Sequence, residues 1–228
     1  VVNMIHGGRE VNEALIRHSK IKGISFVGST PVAKSLYRLA GEHGKRALCQ
    51  AGAKNYMIVM PDADLNTTIP ALIPSFFGNT GQRCLSGANL VAVGDVYEPL
   101  KKKFVEAASK MKLGYGLDES VEMGPLVSQR AKERVLGYVE KGIEEGAKLI
   151  LDGRKASVEK YPKGYFVGPT FFDQVTPDMT IARDEIFGPV VCMIRAETFD
   201  QAIEMINTKT NYGNEACIFT KSGKAARE

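Results

Sequence analysis

The sequence has no long apolar run and no pattern typical of disulfide frameworks or metal sites. No stretch of about 18 apolar residues occurs in its 228 residues, so we expect no membrane-spanning helix. The four cysteines form no C-x-x-C pair, which favours a reducing compartment such as the cytoplasm or the mitochondrial matrix. Neither histidine nor cysteine shows ligand spacing, so a metal site is only a weak alternative and none is expected.

The sequence also has little excess of one charge over the other. Thirty basic and 26 acidic residues give a formal net charge of +4, and no basic run is longer than Lys101–Lys103. A solvated helix face explains that run better than a nucleic-acid patch, so we expect no nucleic-acid partner. With 44% hydrophobic and 25% charged residues, the composition is globular and is sufficient for one large domain or two small ones.

Strand-like and helix-like segments alternate along the chain. The predicted strands and extended runs lie at 24–27, 45–50, 56–60, 90–93, 148–151, 165–167, 170–175, 190–195 and 216–220. The predicted helices follow Pro31 and Leu65 and occupy 98–112, 129–142 and 199–207. This alternation predicts an α/β fold with a mainly parallel sheet that helices cover on both faces.

A strand, a tight turn and a helix are predicted around Gly28–Pro31. Ser29 or Thr30 can cap the helix and Pro31 suits its first turn, which leaves backbone amides at a positive helix end where a phosphate could bind. Many turns of this kind bind nothing, so the pattern alone leaves both readings about equally open.

Cys84 lies in a polar, glycine-rich loop between a predicted helix and a predicted strand. A thiol there can face a cleft and act as a nucleophile, and the neighbouring Arg83 could activate it or attract an anionic substrate. The alternative is a buried, inert cysteine, which we favour for Cys49, Cys192 and Cys217 in their apolar runs. A cysteine protease is a weaker alternative, because none of the three histidines, all upstream, has a recognisable motif around it.

Four segments in order resemble the signature segments of the aldehyde dehydrogenase family. They are Phe26–Thr30, Gln50–Asn55, Gly81–Cys84 and Glu185–Pro189. The resemblance covers nearly the whole chain and implies the C-terminal part of a Rossmann-like cofactor domain at 1–49 and a catalytic domain at 50–228. It also implies that the parent protein is a homo-oligomer, a dimer or a tetramer.

The resemblance implies a role for each matched residue. Cys84 would attack the aldehyde carbon, and its backbone N–H would form half of an oxyanion hole. The remaining residues would hold NAD: Gly28 and Ser29 at the pyrophosphate, the Ala51 carbonyl at the carboxamide, Glu185 at the ribose and Phe187 near the nicotinamide ring. The preference for NAD over NADP is an expectation from the family alone. Without the resemblance, Glu185 would be an ordinary exposed acid and Phe187 a core aromatic residue.

Gln50 departs from the pattern of the hydrolytic members of the family, which have a glutamate there as general base. A carboxamide cannot accept a proton at neutral pH, so water should be poorly activated. An external thiol can cleave a thioester without such a base, which points to coenzyme A as second substrate.

Within the family, four stretches most resemble the methylmalonate-semialdehyde dehydrogenases: Gly52–Asn55, Met60–Ala63, the pair Arg83-Cys84 and Leu151–Lys155. That resemblance implies oxidation of malonate or methylmalonate semialdehyde to acetyl- or propionyl-coenzyme A with loss of carbon dioxide, and Arg83 would bind the substrate carboxylate. Two alternatives stay open. One is a hydrolytic NAD(P)-dependent enzyme for another aldehyde, and the other is a non-catalytic binding or assembly module.

The chain starts at Val1 with no initiator methionine and no visible signal peptide, as if entered midway. The resemblance begins inside the family's cofactor domain and ends before its oligomerisation tail. The family's upstream oxyanion asparagine is therefore not in this sequence, and we expect these 228 residues alone not to turn over.

Overall fold

The computed structural model describes residues 2–228. The chain forms two compact units that meet in the sequence between Gly52 and Ala53. The assignment of 1–49 to a cofactor domain and 50–228 to a catalytic domain stays a prediction, because the division into compact units does not test the function of either one.

The first unit contains two helices and two strands. These are α1 (Arg9–Arg17), β1 (Gly23–Val27), α2 (Thr30–Glu42) and β2 (Arg46–Gln50). The strands pair in parallel, and α1 and α2 contribute a small core of Ile16, Leu36, Leu39 and Ala40. Helix α1 was not predicted, although Val11 and Leu15 have the i, i+4 spacing that indicates a helical face.

The turn between β1 and α2 is built differently from the prediction in one respect. Ser29 occupies the N-cap position, but its side chain makes no capping hydrogen bond. The Thr30 hydroxyl instead accepts a hydrogen bond from the backbone N–H of Gly52 at 3.2 Å. The expected side-chain cap is therefore wrong, because the hydroxyl of Thr30 fastens the segment that follows β2.

The second unit is organised around a six-stranded sheet. Its strands are β3 (Asn55–Val59), β4 (Gly87–Val93), β5 (Lys148–Leu151), β6 (Thr170–Asp173), β7 (Val190–Ala196) and β8 (Ala216–Phe219). They lie in the order β5-β6-β7-β4-β3-β8, and all neighbours run parallel except β5 and β6. The predicted mainly parallel α/β fold is confirmed, whereas the extended run at 165–167 joins no strand.

Helices cover both faces of this sheet. They are α3 (Leu65–Phe77), α4 (Tyr97–Ser109), α5 (Gln129–Glu144), the short α6 (Thr180–Arg183) and α7 (Phe199–Lys209). Successive side chains of a strand point to opposite faces, so Met57 packs in the cluster that contains α3 and α4 and Ile58 packs in the cluster that contains α5 and α7. None of the helices in residues 2–228 is long and apolar enough to cross a membrane.

Three neighbouring strands determine where the candidate site lies. Strands β7, β4 and β3 are adjacent and parallel, so their amino ends share one edge of the sheet. The loop with Cys84 leads into β4, Asn55 is the first residue of β3, and the segment Glu185–Gly188 leads into β7. The residues predicted for chemistry in this unit therefore gather at the amino ends of the strands.

Candidate active site

The loop that carries Cys84 follows α3 and has a strained backbone. Asn79 and Thr80 adopt left-handed conformations with φ of 51° and 58°, and Gly81 follows with φ of 69°. Such conformations cost about 1 kcal/mol or more per non-glycine residue and persist only where the surroundings impose them. One such contact is the Thr80 hydroxyl, which donates to the Gly124 carbonyl at 2.9 Å. Cys84 itself is exposed.

Two asparagine side chains hold the backbone of Cys84. The Asn55 carboxamide donates to the carbonyl oxygens of Cys84 and Ser86 at 2.7 and 2.8 Å. Asn214, which lies just before β8, donates to the same Cys84 oxygen at 2.6 Å. The residue predicted to be the nucleophile is thus fixed by contacts from the starts of two neighbouring strands.

Arg83 spans the gap between this loop and the end of α3. Its Nη2 donates to the carbonyl oxygens of Pro74 and Ser75 at 2.6 and 3.2 Å, and its Nε donates to the Ser86 hydroxyl at 3.4 Å. These carbonyls belong to the last turn of α3, where backbone donors are scarce, although Pro74 also accepts from the backbone N–H of Gly78. Among residues 2–228, Nη1 has no hydrogen-bond partner, so it is the part of the guanidinium that remains for an anionic ligand.

Glu185 faces the start of the β3 segment. Its Oε1 accepts a hydrogen bond from the backbone N–H of Ala53 at 3.1 Å. Burial raises the pKa of this half-buried carboxyl above its ordinary value, because the charged form loses hydration. Within the part of the chain that the structure describes, no group donates to Oε2, which leaves this oxygen able to accept a ligand hydroxyl.

Phe187 has a left-handed backbone with φ of 57°. A bulky residue rarely adopts this conformation, and such outliers concentrate at binding and catalytic sites. Cys84, Glu185 and Phe187 line one cavity of about 20 Å³, together with Arg83 and Asn55. The structure therefore brings together four residues predicted to be functional, Arg83, Cys84, Glu185 and Phe187.

A buried lysine is among the residues that line the same cavity. Lys54 is 3% exposed, and its ammonium donates to the Ile181 carbonyl at 2.6 Å. Burial lowers the pKa of Lys54, since the charged form is poorly solvated there. The Cys192 thiol donates to the same carbonyl at 3.2 Å, and burial raises its pKa to about 11. Cys192 is thus a protonated core residue under neutral conditions.

The other predicted site residues belong to the first unit. Gly28 donates its backbone N–H to the Gln50 carbonyl at 3.1 Å, where β1 and β2 end side by side. Ser29 is exposed at the start of α2, and Ala51 follows β2. Gln50 is exposed at the end of β2.

Sequence reasoning missed three residues of the site: Lys54, Asn55 as a backbone anchor, and Asn214. Lys54 and Asn55 lie inside Gln50–Asn55, which resembles a signature segment of the family, so their place in that segment was a usable signal. Asn214 lies in a loop without a distinctive pattern, and only the pairing of β8 with β3 brings it to Cys84. Among residues 2–228, no group of three or more metal-ligating side chains occurs.

Comparison with known families gives one consistent result. The family model described as "Aldehyde dehydrogenase family" matches residues 1–228. Malonate-semialdehyde dehydrogenase 2 of Geobacillus kaustophilus (strain HTA426) is 48% identical over 229 residues, which cover 100% of this chain and 47% of that protein. Malonate-semialdehyde dehydrogenase of Pseudomonas aeruginosa is 42% identical over 228 residues and is covered to 46%. The chain spans about half the length of the curated relatives it matches.

Solved structures show the same similarity. The methylmalonate-semialdehyde dehydrogenase of Oceanimonas doudoroffii superposes with a TM-score of 0.94 at 41% identity, over 97% of this chain and 45% of the other. The aldehyde dehydrogenase of Mycobacterium tuberculosis complexed with NAD+ gives a TM-score of 0.92 at 33% identity, over 97% and 45% of the two chains.

Proposed function

Since this chain belongs to the aldehyde dehydrogenase family, we propose that it supplies the catalytic thiol of an NAD-dependent malonate- or methylmalonate-semialdehyde dehydrogenase. The observation that carries the proposal is the exposed Cys84 at a cavity that it shares with Glu185 and Phe187. Relatives named malonate-semialdehyde dehydrogenase support the choice of substrate. Because the chain spans about half their length, the activity is proposed for the whole enzyme and not for these 228 residues alone.

The first step belongs to Cys84. Its thiolate attacks the aldehyde carbon, a carbon–sulfur bond forms, and the electron pair of the carbonyl π bond moves to the oxygen. The backbone N–H of Cys84 would donate to that oxygen, which requires a fixed orientation of the loop. NAD, when bound, would supply the oxidant for this carbon by taking up a hydride, and Cys84 would then carry the acyl group as a thioester.

The residues assigned to the dinucleotide have suitable chemistry. Glu185 offers Oε2 as an acceptor for ribose hydroxyl groups, and Phe187 offers an aromatic face at the same cavity. Gly28 and Ser29 lie at the amino end of α2, where a helix dipole favours a phosphate. The Ala51 carbonyl would accept a hydrogen bond from the carboxamide of the nicotinamide.

We propose that coenzyme A cleaves the thioester. Its thiolate attacks the thioester carbonyl, a new carbon–sulfur bond forms, and Cys84 leaves as a thiolate. Gln50 supports this route, because its carboxamide cannot take a proton from water at neutral pH. Decarboxylation breaks the carbon–carbon bond that joins the substrate carboxylate to the carbon next to the thioester carbonyl, and carbon dioxide leaves. The electron pair of that bond forms a thioester enolate, which then takes up a proton. Acetyl- or propionyl-coenzyme A is the product.

Arg83 is proposed to contact the substrate carboxylate through Nη1. The other guanidinium nitrogens already hold the end of α3 and Ser86. The contact would therefore be one-sided rather than the paired contact that a free guanidinium makes. Selection of an acidic aldehyde would rest on charge and on this single donor.

The principal test measures NADH formation from malonate semialdehyde by the whole enzyme, with and without coenzyme A. Turnover should require the thiol, and equal turnover without it would contradict the acylating mechanism. Gln50→Glu should introduce turnover without coenzyme A, because a carboxylate can activate water. A matched Gln201→Glu substitution on α7 should have no such effect.

A second test uses the 228-residue chain, for which no turnover is expected. Iodoacetamide should label Cys84 faster than Cys49 and Cys217, and Cys192 last, because only Cys84 is an exposed thiol. Peptide mass spectrometry at successive times gives the four rates. Equal rates for Cys84 and Cys49 would argue for a non-catalytic module.

A further inference from the structure

The carbonyl oxygen of Cys84 receives two carboxamide donors from residues far apart in the sequence. Asn55 donates from the start of β3 at 2.7 Å, and Asn214 donates from just before β8 at 2.6 Å. We propose that Asn214, acting with Asn55, is a positioning residue that holds the Cys84 backbone in its reactive orientation. This inference rests on the proposed role of Cys84 as the nucleophile.

Asn55 is the buried one of the two donors to the Cys84 carbonyl oxygen. It is 2% exposed, and its NH₂ group donates to both Cys84 and Ser86. The opposite orientation of the carboxamide would place an oxygen against two carbonyl oxygens, so the orientation is determined by its partners. Its Oδ1 is buried without a donor among the described residues, which is an unfavourable arrangement. The fold thus tolerates an unsatisfied acceptor in order to hold residues 84–86.

Asn214 is the exposed donor to the same oxygen. Its side chain is accessible to water, so its hydrogen bond should contribute little to the stability of the fold. The bond joins residues 130 positions apart and makes the second contact to an oxygen that Asn55 already satisfies. Its effect should therefore appear at Cys84 rather than in unfolding.

The two donors act on Cys84 in two ways. They fix the peptide plane after Cys84, which restricts the direction in which the sulfur points from a loop with a strained backbone. They also draw electron density from an oxygen close to the sulfur, which reduces the repulsion that a thiolate meets there. Loss of one donor should slow any reaction of this thiol with an electrophile.

The experiment measures the second-order rate of iodoacetamide with Cys84 in the 228-residue chain. Asn214→Asp keeps the shape but removes the donor, and the rate should fall about fivefold, as for loss of one hydrogen bond. Asn214→Gln retains a carboxamide on a flexible stem and should recover most of the rate. Asn211→Asp is the matched control, since it places the same charge in the same exposed loop, and it should change the rate less than about twofold.

Two internal readouts separate positioning from general disruption. The Cys49 and Cys217 labelling rates and the urea midpoint should stay unchanged in Asn214→Asp, which shows that the fold and β8 are intact. Equal Cys84 rates in Asn214→Asp and Asn211→Asp, or no recovery in Asn214→Gln, would overturn the proposal. If wild-type Cys84 reacts no faster than Cys49, the proposed function is contradicted instead. The positioning role of Asn214 is still tested in that case, because it depends only on the ratio of the Cys84 rates in Asn214→Asp and Asn211→Asp.

Discussion

Gly81 lies against the backbone of Gly188, so close that a Cβ atom on Gly81 would be 2.3 Å from the Gly188 carbonyl oxygen. The contact joins the loop that carries Cys84 to the segment that carries Glu185 and Phe187. Gly81 also has a left-handed backbone with φ of 69°. Both features require glycine, because any side chain would collide with main-chain atoms and strain the backbone.

Gly81→Ala should therefore destabilise the protein by about 2 kcal/mol or more, since the carbonyl of Gly188 belongs to a backbone that cannot move aside cheaply. The matched control is Gly137→Ala in α5, where a Cβ atom meets nothing within 4 Å. This control should gain about 0.5–1 kcal/mol from reduced backbone entropy. Urea unfolding of both variants checks the prediction, and a gain in stability for Gly81→Ala would contradict it.

Lys54 should make stability increase with pH. Its pKa is lowered by burial in the folded protein from an ordinary value of 10.5, so the unfolded chain binds more protons between the two pKa values. The free energy of unfolding should then rise with pH through that window. Lys54→Met should flatten the rise, whereas Lys148→Met at an exposed position should not. Urea titrations between about pH 7 and pH 10.5 test this, and parallel curves for Lys54→Met and wild type would refute it.

Tyr97 should have the opposite effect at higher pH. Burial, assisted by the hydrogen bond that its hydroxyl donates to Asp173, raises the pKa of Tyr97 from 10 to about 12. Between these values the unfolded chain loses its proton first, so stability should fall as pH rises through that range. Tyr97→Phe should lose this dependence, and Tyr165→Phe at an exposed tyrosine should retain it. Unfolding by urea at about pH 9 and pH 12 measures the difference.

Arg83→Met should lower kcat/KM for malonate semialdehyde about 10- to 100-fold in the whole enzyme, as expected for loss of a hydrogen bond to a charged group. Propanal lacks the carboxylate and should lose less. Arg83→Lys restores the charge without the planar guanidinium and should recover part of the difference between the substrates. Equal losses for both aldehydes would show that Arg83 acts only by holding the end of α3.

Most of the fold could be predicted because its strands and helices carry their own periodicity. The helix predicted from Leu65 onward spans Leu65–Phe77, despite Pro70 and Pro74 inside it. Helix α6 was not predicted, because its four residues are too few for a helical period to show. Strand order could not be obtained from local patterns, since it depends on which strands pair across the chain.

In the candidate site, too, local sequence predicted some features, whereas others depend on tertiary structure. Cys84 could be recognised from the polar and glycine residues beside it, and Glu185 and Phe187 from a motif. The anchoring of Cys84 by Asn214 depends on β8 lying next to β3, which no short segment encodes. The hydrogen bonds of Arg83 depend equally on tertiary structure, because its partners Pro74 and Ser75 are at the end of a helix that the sequence placed but could not orient.

Strand β8 has a consequence for the thiol. Among residues 2–228 it is the last strand of its sheet and pairs on one side only, with β3; it begins two residues after Asn214. Edge strands open locally at a lower free energy than central strands. Each opening would remove one of the two donors to Cys84 while Asn55 stays in place. The alkylation rate of this cysteine would then report the fraying of a strand that contains no catalytic residue.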